Sequence, residues 1–253
     1  MLALKWLSNA RGVMEKIEET QLENIKAAAE LMADSIAAGR WVHTFGCGHA
    51  TIPVEEMYPR IGGFVGFHPM IELPLTFFTR ITGEMGVHQF LFLERAEGYG
   101  KEIMKGYDFD TRDTMWLFSH SGINNVNIDI ALDAKEKGMK VVVLGSADSF
   151  KDATTRHSSG KKLFDLGDVV VDTCVPAIDA SVDLDNHFDK IGPVSTMGFV
   201  TSVWMIVSTV AEILAERGEK LYIHPSHNIP GDTTARERLD DALGEYKRRI
   251  SGV

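Results

Sequence analysis

Two short segments carry residues whose types and spacing suit the capture of an anion. Gly46-Cys47-Gly48-His49-Ala50 joins an apolar run to a helix-like segment. Glycines there let the backbone come close to a ligand, and the helix start offers unpaired N–H groups. A lone G-x-G is weak evidence, because the same turn serves ordinary chain reversal, and neither a full G-x-G-x-x-G nor a Walker A motif is present. Ser119-His120-Ser121-Gly122-Ile123-Asn124-Asn125 says more, since two hydroxyls one residue apart, a glycine and the polar Asn124 again precede a helical pattern. Hydroxyl and main-chain donors would converge on one anion; the plainer alternative is that Ser119 and Ser121 cap the helix.

Groups able to move protons lie near both turns. Glu94 and Glu97 are spaced i, i+3 on an expected helix between the turns, where they would share one face, although ERAEGYGKE also reads as a charged helix surface. Glu97, followed by Gly98-Tyr99, is the first choice for a base, with His157 as its acid. His49, His120 and His157 flank turns, where an imidazole titrating near neutrality is useful. His157 belongs to RHSSGKK, a segment dense in donors that reads equally as a solvated basic loop. His187, His224 and His227 lack close carboxylate or cysteine spacing, so no metal site is expected, and the aspartates of AIDASVDLDN match no calcium loop, serving instead as solvating or hydroxyl-binding groups. No organic cofactor is expected either.

The elements that must position these residues follow from periodicity. The chain has 253 residues, 44% of them hydrophobic and 25% charged, which fits one globular domain over 1–253 with a buried core. Helical spacing from Leu4 to Ala38, stopped at Gly39, predicts a long N-terminal helix or helix pair over about 1–39. Strands are predicted at Trp41–Phe45, Met115–Phe118, Lys140–Leu144 and Asp168–Asp172, with helices at Thr51–Tyr58, Asn124–Gly138, Val194–Arg217 and about 233–250. Apolar strands alternating with helices give an α/β fold, a three-layer αβα sandwich around a mostly parallel sheet. Ligands gather beyond the carboxyl ends of such strands, which is where both turns fall.

Charge and cysteine usage narrow the class. A formal net charge of −10 argues against nucleic acid, whose phosphates demand a basic face. It leaves small phosphate esters open, because backbone N–H donors do not enter a net charge. The two cysteines, Cys47 and Cys174, form no C-x-x-C, which suits a reducing compartment. The first twenty residues lack the apolar core of a signal peptide, and no uninterrupted apolar run is long enough to predict a membrane span, so a cytoplasmic protein is expected.

The S-x-S-G turn with its following polar residue, the earlier G-x-G turn and the β/α order resemble the SIS (sugar isomerase) family over roughly residues 20 to 215. Members include phosphoheptose isomerases and the isomerase half of glucosamine-6-phosphate synthase. ERAEGY, RHSSGKKL, GPVST and HPSHN further resemble bacterial single-domain phosphoheptose-isomerase-like proteins. The resemblance implies that Ser119, Ser121 and Asn124 hold a phosphate, that Gly46, Gly48 and His49 border a sugar, and that His120, Ser195 and Thr196 join the binding set. Ala50 stands where the family often has serine. The phosphoheptose isomerase glutamate would fall near Glu55, Glu56 and Arg60, and their last-helix histidine has no counterpart in Val194–Arg217. The implied function is aldose–ketose isomerisation of a sugar phosphate through an enediol. Its alternatives are a phosphosugar lyase or deglycase, and a non-catalytic sensor. Regulators of that kind usually carry a helix-turn-helix, and the acidic N-terminal helix with Glu15, Glu18, Glu19 and Glu23 does not resemble one. The expected partner is a small sugar phosphate, and the expected assembly a homodimer or homotetramer.

Overall fold

The computed structural model describes residues 1–57, 60–76 and 86–251. Helices α1 (Leu2–Thr20) and α2 (Leu22–Ala37) precede β1 (Val42–Gly46) and α3 (Ile52–Met57). Then come β2 (Phe67–Pro69), α4 (Leu73–Thr76), α5 (Gly86–Leu93), α6 (Tyr99–Met104), β3 (Thr114–Phe118) and α7 (Asn125–Glu136). The second half holds β4 (Lys140–Gly145), α8 (Ala147–Lys151), β5 (Val169–Asp172), the strands β6 (Ala180–Val182) and β7 (Ile191–Pro193), α9 (Ser195–Glu216) and α10 (Ala235–Ser251).

The main sheet is parallel throughout, in the order β2-β1-β3-β4-β5. Both faces of its central strands are buried, which is why they read as continuous apolar runs. Trp116, Phe118, Val142 and Leu144 point into a core layer shared with Met32 of α2 and Ile206 of α9. Met115, Leu117, Val141 and Val143 face the opposite layer, built on Ile103 of α6 and Ile130 of α7. The three-layer αβα sandwich is therefore present, and the N-terminal segment is a helix pair broken at Gln21, with φ −112° and ψ 1°.

Several elements have no forerunner in the periodicity. β2 is three residues long and ends in Pro69, which is tolerated at a sheet edge because no further strand needs its missing N–H. β6 and β7 form a small antiparallel pair outside the main sheet. The predicted helix start at Thr51–Tyr58 is α3 after one 3₁₀ turn, with Tyr58 outside the described residues. α9 is long and apolar enough to cross a membrane by length and composition, yet half of its most apolar window is buried, against α2 and α1.

Candidate functional site

The chain runs from β1 outward to β2, then returns to the other side of β1 to lay down β3. Between β1 and β3 the direction of winding reverses, and the loops leaving the two strands part there, opening a crevice at their carboxyl ends. Both predicted anion turns leave the sheet at this point.

After Gly46 the backbone passes through Cys47 into a 3₁₀ turn, Gly48–Thr51, and the Thr51 hydroxyl donates to the Gly46 carbonyl at 2.8 Å. Neither glycine is replaceable. A Cβ on Gly46 would sit 2.2 Å from the Ala50 carbonyl oxygen, and Gly48 has φ +60° with the Phe90 ring 2.7 Å from where its Cβ would be. These glycines shape the turn, while Cys47, His49 and Ala50 face the crevice.

The second turn divides its hydroxyls. Ser119 is buried and its Oγ accepts from the Gly122 amide at 3.0 Å, which holds the turn closed. Ser121 is half-buried, and its hydroxyl has no partner among the described residues. Asn124 occupies the N-cap position of α7 but does not cap it; its amide donates to Glu94 Oε2 at 2.8 Å. The first-turn N–H groups of α7 thus lack a side-chain acceptor at the helix end that best tolerates an anion, the Val126 amide alone reaching the Glu94 carbonyl at 3.4 Å. Asn127 donates to the Phe118 carbonyl at 2.9 Å, and its Oδ1 lies 3.5 Å from the Cys47 thiol, tying the ends of β1 and β3 together.

Between these turns and the start of α9 lies a cavity of 210 Å³, lined by Cys47, His49, Ser119, His120, Ser121, Asn124, Asn127, Asp179 and Ser195, among others. The volume suits a ligand smaller than the drug-sized molecules that occupy about 300–1,000 Å³. The Asp179 carboxylate accepts from the amides of Val194 (2.8 Å) and Ser195 (2.7 Å) and from the Ser195 hydroxyl (2.7 Å). A carboxylate therefore already fills the positive end of α9, leaving the end of α7 for an incoming anion. His120 Nε2 lies 3.3 Å from the Ala177 carbonyl, which can only accept, so the proton belongs on Nε2; Nδ1 is buried with no partner among the described residues.

Of the predicted proton-transfer residues, Glu97 and His157 are brought side by side, Glu97 Oε1 lying 3.9 Å from His157 Nε2, whereas Glu94 packs against Asn124. Glu94 is buried one hydrogen bond behind the cavity, through Asn124, and burial raises its pKa above the ordinary carboxylate value. The same burial, with Glu94 nearby, raises the Cys47 thiol well above its usual range, so Cys47 stays protonated. Glu97 and His157 do not line the cavity. Glu97 is exposed and accepts from the Ser158 amide at 2.9 Å and from the Ser158 hydroxyl; the hydroxyl, then the amide, lowers its pKa. His157 is buried, with Nε2 3.1 Å from Asp129 Oδ1 and Nδ1 accepting from the Ser159 amide at 3.1 Å. Asp129 also accepts from the amides of Gly98 (2.7 Å) and Gly100 (3.2 Å), so this group clasps the loop at 157–160 to the chain at 97–100.

The expected helix carrying Glu94 and Glu97 on one face is corrected. α5 ends at Leu93 and α6 begins at Tyr99, with Gly98 at φ 90° between them, so the two glutamates sit in a turn and diverge. Thr196 is half-buried in the first turn of α9 and does not line the cavity, whereas Ser195 does. Asn127 and Phe199, which also line the cavity, carry no signal of their own in the sequence, and Asp179 is one of several aspartates in AIDASVDLDN. Among the described residues no group of three or more His, Cys, Asp or Glu side chains is placed to hold a metal ion.

The SIS domain family matches residues 5–146, which takes in both turns but not Asp179 or Ser195. A UPF0309 protein of Oceanobacillus iheyensis is 35% identical over 237 residues, covering 94% of this chain and 93% of that one. A UPF0309 protein of Listeria monocytogenes is 35% identical over 239 residues, with the same 94% and 93% coverage. Among solved structures, a phosphoheptose isomerase of Neisseria gonorrhoeae superposes with a TM-score of 0.54 at 14% identity, over 81% of this chain and 95% of that one. One of Francisella tularensis gives 0.53 at 14%, over 84% and 100%. At that identity the likeness is one of fold.

Proposed function

For a chain that belongs to the SIS domain family, we propose that the cavity between β1 and β3 binds a small sugar phosphate and that the protein interconverts its aldose and ketose forms. One observation carries the binding: two turns separated by about seventy residues of chain meet at the switch point, with an unpartnered hydroxyl and an uncapped helix start facing one cavity. In this reading the phosphate rests on Ser121, Ser119 and the first-turn amides of α7. The sugar extends toward His49, Cys47 and His120. Asp179, already bonded to α9, repels the phosphate from that side and so fixes which way round the ligand lies.

Isomerisation requires one group to take the proton from the carbon beside the carbonyl and another to protonate the carbonyl oxygen, giving an enediol; reversal at the other carbon gives the isomer. His120 is the titratable side chain of the cavity with an unmet bond, and a ligand hydroxyl or C–H at Nδ1 meets it. Glu94, its pKa raised by burial, is the nearest carboxyl and acts through or beside Asn124. Glu97 and His157 support the reaction by holding the 157–160 loop. A cytoplasmic homodimer or homotetramer is the proposed working form.

The test is solvent deuterium incorporation next to the carbonyl, run on whichever pentose, hexose or heptose phosphate raises the melting temperature. Exchange that depends on His120 supports isomerisation. A tightly bound ligand with no exchange refutes it in favour of a sensor, and release of the phosphate-bearing fragment refutes it in favour of a lyase.

A further inference from the structure

At the opposite, amino end of the sheet a second cavity of 440 Å³ shares no lining residue with the first. Its wall is aromatic. The His68 ring lies 5.5 Å from Trp41 and 5.6 Å from Tyr107, and Phe109 packs edge-on at 4.8 Å against His43. We propose that this cavity binds a small, planar heterocycle without negative charge that stacks on these rings and donates a ring N–H to His68.

The donor requirement follows from a chain of buried groups. Asp113 is buried, and its carboxylate accepts from Arg40 Nε (3.0 Å) and Nη2 (2.9 Å) and from the amides of Trp41 (3.0 Å) and Asp110 (2.7 Å). These bonds, with the nearby His43, hold it ionised despite its burial. His43 Nε2 stands 3.3 Å from that carboxylate without the alignment of a hydrogen bond, and the proton still belongs there, since a lone pair would face a negative charge. His43 Nδ1 is then an acceptor. His68 Nδ1 lies 3.0 Å from it and has to be the donor. His68 Nε2 is left as a lone pair with no partner among the described residues, on a ring that lines the cavity. Burial, then the His43 ring, lowers the His68 pKa to about 4, so the acceptor persists at neutral pH.

The exclusion of an anionic ligand follows from how the lining ions are used, Asp108 adding a further lining carboxylate. Arg40 is spent on Asp113, and Arg249 donates to the carbonyls of Arg40 (2.6 Å) and Ile36 (3.1 Å) and to Glu245 (2.7 Å). Asp110 is held by Arg112 at 2.8 Å. Among the described residues no lining cation is left free for an anion, whereas ring faces and one fixed acceptor are available. A brace between β1 and β2 would need only the apolar pair that most sheets use; burying an aspartate and two histidines for that purpose is expensive.

The experiment uses the full chain labelled with ¹⁵N. Long-range ¹H–¹⁵N spectra at neutral pH should show His43 as the Nε2–H tautomer and His68 as the Nδ1–H tautomer. Indole and uracil should saturably shift the His68 Nε2 signal, while N-methylindole, equal in stacking face but without the donor, should bind about five- to tenfold more weakly, as one lost hydrogen bond implies. Substitution of His68 by Phe keeps the ring and should remove the difference between indole and N-methylindole; Ser121→Ala should leave it intact. The proposal is overturned if the tautomers are reversed, if no probe shifts His68, or if indole and N-methylindole bind equally to the wild type. That last comparison needs no variant and stands even if the Phe substitution fails to fold.

Discussion

Ser119 and Ser121 look equivalent in the sequence, and the structure assigns them separable work. Removing the Ser119 hydroxyl leaves the Gly122 amide without its acceptor inside a buried turn, which costs about 1–3 kcal/mol. In a domain of this size each kcal/mol lowers Tm by roughly 2–4 °C, so Ser119→Ala should melt visibly earlier in the absence of ligand. Ser121 makes no bond among the described residues and is half-buried, so Ser121→Ala should stay within about 0.5 kcal/mol of the wild type. Its deficit should appear only with ligand. A hydroxyl donating to a charged phosphate contributes about 1.5–3 kcal/mol, and at 1.4 kcal/mol per decade that is a loss of about 10- to 150-fold in affinity.

The assay pairs ligand-free melting curves with calorimetric titration of the sugar phosphate that stabilises the wild type, with inorganic phosphate in parallel. Both ligands should weaken in Ser121→Ala, because the lost contact is to the group they share. Two results refute the reasoning: unchanged affinity in Ser121→Ala, or a Ser121→Ala protein that melts as early as Ser119→Ala.

Four further outcomes are expected. His120→Asn should keep phosphate binding and lower solvent-deuterium exchange by about 10²–10⁴-fold; wild-type exchange would remove His120 from the chemistry. Glu97→Gln should accelerate amide hydrogen exchange at Ser158 and proteolysis of the 157–160 loop while leaving deuterium incorporation near normal, and loss of incorporation alone would return Glu97 to the reaction as its base. Because the folded His68 pKa is depressed to about 4 and an unfolded histidine titrates near 6.5, the unfolded chain takes up a proton first on acidification. Stability should therefore fall as pH drops from about 6.5 towards 4, and His68→Phe should flatten that slope in denaturant titrations. Light scattering at micromolar concentration should give a homodimer or homotetramer, exposed Leu2, Leu4 and Leu7 on α1 being part of the covered surface; a monodisperse 28.0 kDa species would end that idea.

The sheet was legible where strands are buried on both faces, because MWLF and KVVVL leave no polar period to follow, and Gly138 and Gly145 bound the second of them. β2 was not, since Phe67-His68-Pro69 is an edge strand that among the described residues pairs with β1 alone, and a strand of that length has no period. The same pairing sets His43 beside His68 in register, which is why the second cavity was invisible from either segment alone. At the first cavity the two turns were legible because a parallel strand must end in a turn at the face where ligands collect. Asp179 was not, because the amides it serves at Val194 and Ser195 are brought to it only by the intervening β6–β7 pair.

The pair Glu94 and Glu97 shows why residue type does not reach as far as role. An i, i+3 spacing puts both on one face only if the helix continues, and α5 has already ended at Leu93, with Gly98 at φ 90° opening the next helix. Once they diverge, their surroundings act in opposite senses. Glu94 turns inward to Asn124, loses water and has its pKa raised, whereas Glu97 turns outward to Ser158, gains two donors and has its pKa lowered. A base that works near neutrality needs the first environment, and a loop anchor needs the second. The donors that decide between them lie thirty and sixty-one residues further along the chain, so no reading of the local segment settles which glutamate belongs to the chemistry.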